Sequence, residues 1–60
     1  MMITFTKYDH LPTEVYVEDV LVGTIDDQGF FYPNEAYWRL LTWDEQAQVD
    51  SKVQEKGYCP

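Results

Sequence analysis

The stretch Glu14–Pro33, EVYVEDVLVGTIDDQGFFYP, decides the fold of this chain. Val15 and Val17 alternate with Glu14, Tyr16 and Glu18, the period-two pattern of a strand with one apolar and one polar face. Val20–Ile25 is β-rich and forms the next strand, with Glu18-Asp19 as the turn between them. Tight hairpins favour Asn-Gly or Asp-Gly because the central residues take positive φ, which Glu accepts poorly. The hairpin is expected, and its register stays open. One register puts Val20 and Val22 on the core face; a slip by one residue puts Leu21, Gly23 and Ile25 there instead. Asp26-Asp27-Gln28-Gly29 is a clearer turn, since acids initiate type I turns and Gly29 takes the left-handed position that closes the loop. Phe30-Phe31-Tyr32 then reads as a strand that Pro33 ends, because proline cannot donate to a ladder.

Upstream, Met2–Tyr8 alternates with Ile3 and Phe5 on one side and Thr4, Thr6 and Tyr8 on the other, a strand that Asp9–Thr13 breaks around Pro12. Downstream the period changes. Asn34 is a candidate N-cap and Glu35 suits a first turn, with Ala36, Tyr37, Leu40 and Leu41 as a short apolar stripe. Thr42-Trp43-Asp44-Glu45 has the T-x-x-E pattern of a capping box, so a second helix begins at Trp43 and runs to about Lys56, with Gly57 as its stop. Trp43, Ala47, Val49 and Val53 are its expected inward residues. The fold class is therefore α+β: a meander of three to four antiparallel strands, then two C-terminal helices packed on one face, residues 1–60 forming one small acidic domain.

A chain of 60 residues buries only about 60% of the surface its unfolded form exposes, so apolar mass is at a premium. Ten aromatic side chains are available to supply it, and most of them are expected in the core. The single cysteine, Cys59, permits no intrachain disulfide and suits a reducing compartment. The opening MMITFTKYDH has no basic-then-apolar leader pattern, and no apolar run approaches the ~18 residues of a membrane span; the expected location is the cytoplasm.

Eleven acids against four bases give a net charge of −7, which disfavours direct binding to nucleic acid or to anionic membranes. Between Lys7 and Arg39 lie Asp9, Glu14, Glu18, Asp19, Asp26, Asp27 and Glu35 with no basic residue among them. No catalytic constellation is legible. His10, Ser51 and Cys59 are isolated from one another in the sequence, and no group frames a nucleophile. Asp26–Gly29 lacks the alternating ligands of a calcium loop, and His10 with Cys59 falls short of a zinc set. No enzyme activity, metal or cofactor is expected.

In size, acidity and lack of a catalytic signature the chain resembles the small accessory proteins encoded by phages and mobile elements, nucleic-acid mimics and anti-CRISPR proteins among them. The resemblance is one of type and carries over no residue. It implies a non-enzymatic protein that docks on a basic, nucleic-acid-binding surface of a larger protein and inhibits or modulates it. Glu14, Glu18, Asp19, Asp26, Asp27 and Glu35 would supply charge, and Tyr16 and Trp38 would anchor, provided the acids form one continuous patch. The alternative is a structural or assembly protein acting as a homodimer or complex subunit.

Overall fold

The computed structural model describes residues 1–60. Strands β1 (Ile3–Thr6), β2 (Thr13–Val17), β3 (Val20–Ile25) and β4 (Phe31–Pro33) precede helices α1 (Glu35–Trp38) and α2 (Trp43–Glu55). The strands form one antiparallel sheet in the order β1-β2-β3-β4, each beside its neighbour in the chain, as short connections dictate. The architecture is the α+β meander with C-terminal helices that the hydrophobic pattern implies. The last strand is displaced by one residue: it spans Phe31–Pro33, with Pro33 opposite Gly23, and Phe30 stands outside it.

A β-bulge resolves the register of the β2–β3 hairpin. Val15 pairs with Gly23 while Tyr16 pairs with Leu21, so Val22 is the extra residue on β3. The bulge turns Val22 inward without turning Ile25 outward. Residues from both alternative registers, Val22 on one side and Gly23 and Ile25 on the other, are thereby buried together. Gly23 is required here for space: a Cβ would meet the Phe31 ring and lie 2.8 Å from the Tyr32 carbonyl oxygen. The turn itself takes the conformation that Glu tolerates poorly. Glu18 has φ 56°, and no other non-glycine residue has a positive φ. Its cost is offset by closure of β1 onto β2: the Glu18 N–H donates to the Met2 carbonyl at 2.8 Å, and its Oε1 accepts the Met2 N–H at 3.1 Å.

The buried cluster is Val15, Val17, Val22, Ile25 and Phe31 from the sheet with Val49 and Val53 from α2, flanked by Ile3, Phe5, Trp38, Leu41 and Tyr58. It is built mainly of valine and not of aromatics as expected, since Tyr8, Phe30, Tyr32, Tyr37 and Trp43 are exposed. The expected capping box starts α2: the Glu45 N–H donates to Thr42 Oγ1 at 3.2 Å, and the Thr42 N–H to Glu45 Oε1 at 2.8 Å. The inward face of α2 is narrower than the sequence suggested. Trp43 is 85% exposed and Ala47 is also exposed. At about 100° per residue these two lie roughly 120° and 160° around the helix from Val49, too far to share its direction. Past α2, Gly57 (φ +89°) allows a Schellman close, with the Gly57 N–H donating to Gln54 O at 2.9 Å and the Tyr58 N–H to Val53 O at 3.1 Å.

The short helix α1 also departs from its pattern. Trp38 packs edge-on against Phe31, ring centroids 5.4 Å apart, with Leu41 beside the core. Ala36, Tyr37 and Leu40 face solvent, Leu40 at 72% exposure. The reason lies in the backbone. Leu40 and Leu41 donate to the carbonyls three residues back, Tyr37 and Trp38, and this tighter winding shifts the side chains off the expected α-helical stripe. Asn34 holds the N-cap position without capping: its Nδ2 donates to Leu21 O at 3.4 Å, and its N–H to Val22 O at 2.8 Å, anchoring α1 to β3.

The two edges of the sheet are finished differently. Beside β4 the C-terminal segment adds a short parallel bridge, Phe30 to Cys59, in which the Phe31 N–H donates to Cys59 O and the Cys59 N–H to Gly29 O, each at 2.8 Å. Beyond β1 no strand is added.

Candidate functional site

Because α2 covers one face of the sheet, the side chains that alternate away from it form an uncovered face. By register these are Thr4 and Thr6 of β1, Glu14 and Tyr16 of β2, Leu21 and Thr24 of β3 and Tyr32 of β4, none of them buried. Two tyrosine–carboxylate groups stand on it. Glu14 Oε1 accepts both the Tyr16 hydroxyl, at 2.8 Å, and the Tyr8 hydroxyl, at 3.0 Å. These bonds to a carboxylate push both phenols above their ordinary value of 10.0, since losing a phenol proton would set negative charge against negative charge.

The second group is Tyr32 with Asp26, whose carboxylate likewise pushes the Tyr32 phenol up. Asp26 is also the organiser of the β3–β4 turn. Its Oδ1 accepts the Phe30 N–H at 2.9 Å and the Gln28 N–H at 3.0 Å, while Gly29 takes φ +90°, as the turn chemistry requires. The Phe30 N–H, above all, holds the Asp26 carboxyl below its usual 3.8, with the Tyr32 hydroxyl and the Gln28 and Gly29 N–H groups adding to the effect against a smaller opposing effect of desolvation.

No cation joins either group. The one ion pair in the structure is Lys52 with Glu55 on α2, at 3.7 Å. The carboxylates Glu14 and Asp26 thus have phenols and backbone amides as partners and no ion pair to Lys or Arg.

The structure divides the acids expected to form one patch. Glu18 and Asp19 occupy the β2–β3 turn, while Asp26 and Asp27 occupy the β3–β4 turn at the other end of β3, about 20 Å away for a strand of six residues. Glu35 follows β4 back toward the first end, where Asn34 is bonded to Val22. Glu14 lies between, on the uncovered face with Tyr16. Of the two expected anchors, Tyr16 is on that face, and Trp38 is not: its ring is committed to Phe31 and the core. Tyr8 and Tyr32 join the site without having been singled out. The alternation Thr4-Thr6-Tyr8 carried the signal for one, and Tyr32 is the polar residue of its strand.

At the end of the sheet near Asp26, a groove of about 760 Å³ is lined by the 7–13 segment, residues Asp26–Gly29 and Tyr58. Lys7, Asp9, His10 and Asp27 give it both signs of charge, which distinguishes it from the sheet face. No group of three or more His, Cys, Asp or Glu side chains converges as a metal site would require. No helix is long and apolar enough to cross a membrane. Comparison with protein-family models, with curated proteins and with solved structures finds no match to the chain.

Proposed function

We propose that the chain is a non-enzymatic binding protein whose uncovered sheet face docks on a basic, nucleic-acid-binding surface of a larger protein and inhibits or modulates it. The observation that carries this reading is the pairing of Tyr8 and Tyr16 with one oxygen of Glu14, a carboxylate with no Lys or Arg paired to it. Such a face suits arginine. A guanidinium binds carboxylate oxygens through planar N–H pairs and stacks on aromatic rings, whereas an ammonium makes only a point contact. Glu14 retains Oε2 for that purpose. The acids at the two ends of β3 contribute through longer-range attraction, raising the rate of encounter more than the lifetime of the complex.

A titration with an arginine-rich peptide tests the proposal. Affinity is expected to fall at least about tenfold from low to physiological salt, to fall again with Glu14→Gln, and to be weaker for a lysine-rich peptide of equal charge. Binding that ignores salt and does not distinguish arginine from lysine contradicts it.

A further inference from the structure

We propose that β1 is the pairing edge of a homodimer, in which the β1 strands of two copies lie antiparallel and join two four-stranded sheets into one of eight. An unpaired edge presents a row of free N–H and C=O groups, and proteins that stay monomeric blunt it with charge, proline or a covering segment. The far edge is covered in this way, by the backbone of Cys59 against Phe30 and Phe31. The β1 edge has none of these devices. Residues Met1–Thr6 carry no charged side chain and no proline in a chain of net charge −7.

The surroundings of β1 select a second copy as the occupant. Between β1 and α2 runs an open groove of about 530 Å³, lined by Met1, Ile3, Ala47 and Ser51, with Asp44 toward one end and Lys52 and Glu55 toward the other. The helix runs alongside the strand in the same direction: its Asp44–Gln48 part shares the groove with Ile3, and Lys56 sits over the Phe5 ring, 5.1 Å from its centroid. A two-fold axis normal to the sheet makes the strands antiparallel and keeps both helices on one face, also antiparallel. The Asp44 end of each α2 then approaches the end of the other where Lys52 and Glu55 form their ion pair, and the helix dipoles oppose. At the middle of this contact stand Ala47 and Ser51, small residues that let the helices come close. The arrangement closes after two copies, so it gives a dimer and no fibre.

Sedimentation equilibrium on the wild-type chain across about 10 µM to 1 mM, the range of weak association, reads the state directly. The mass is expected to rise from 7.1 kDa toward twice that value, and to rise more readily at high salt, where repulsion between two chains of −7 is screened. This salt dependence is opposite to that of docking on a basic partner, so failure of one proposal leaves the other standing. Isotope-filtered NOEs between labelled and unlabelled copies are expected at Thr4 and Phe5. Ala47→Glu and Thr4→Lys change exposed residues and are expected to hold the chain at single mass with an unchanged circular dichroism spectrum. A single-chain mass throughout the range, a dimer without β1 NOEs, or a dimer that both variants leave intact overturns the proposal.

Discussion

The two faces of the sheet are built from the same strands and differ in what each side chain is asked to do. On the helix side Val15, Val22, Ile25, Val49 and Val53 are closed off from water and interlock with Phe31. On the other side Glu14, Tyr16 and Thr24 are half-buried and Tyr32 is exposed, and Glu14 and Tyr16 are ordered by the hydrogen bond from phenol to carboxylate. Burial gives the first face its stability and leaves it no chemistry. The second face contributes little to stability and holds the polar groups that a partner can use. In a chain of this length the division is sharp because a single helix can cover only one side.

That contrast can be broken most severely from the core. Ile25→Ala removes a fully buried side chain and is expected to cost about 2–5 kcal/mol, a large share of the stability of a small domain, measured by denaturant unfolding. Gly23→Ala attacks the same face by overfilling. The added methyl meets the Phe31 ring and the Tyr32 carbonyl, so a loss of about 1–3 kcal/mol is expected despite the better strand propensity of alanine. On the open face, Glu14→Gln is expected to leave the melting temperature nearly unchanged while moving the Tyr8 and Tyr16 phenols back toward 10.0 in a tyrosinate absorbance titration, with Tyr32 unmoved. The sign of the pH dependence follows. Phenols raised in the folded state contribute stability that is present below pH 10.0 and lost as pH rises through their raised values. Asp26, lowered in the folded state, contributes stability present above pH 3.8 and lost as pH falls through its depressed value.

Much of this was legible in the residue order. Alternation around Val15 and Val17, the Asp26–Gly29 turn and the Thr42–Glu45 box each depend on a local interaction, and each formed as its chemistry requires. The place of the bulge was legible in Gly23, since a glycine inside a strand marks a bulge or a close backbone approach and this one stands at both. That Val22 would be the extra residue was not, because it satisfies a tertiary demand to bury two apolar residues of opposite parity beneath one helix. Trp38 and Trp43 exchanged roles for a related reason. Their burial depends on how far α1 continues before the chain turns, and a one-turn helix with i to i+3 bonds places Trp38 over Phe31 while Trp43 begins the next helix in solvent. For the candidate site, composition revealed the excess of carboxylates and strand parity assigned Glu14 and Tyr16 to one face. That Tyr8 would share an oxygen with Tyr16 depended on the path of the 7–12 segment, which sequence pattern does not specify.

The central claim, that the uncovered face rather than the total negative charge is what a basic partner meets, is tested most directly by mapping amide shifts during titration with an arginine-rich peptide at low salt. The perturbed amides are expected to cluster at Tyr8, Glu14, Tyr16, Thr24 and Tyr32, and Glu14→Gln is expected to remove the pattern. Shifts spread evenly over Glu18, Asp19, Glu35, Asp44 and Glu55, or centred on α2, would contradict it.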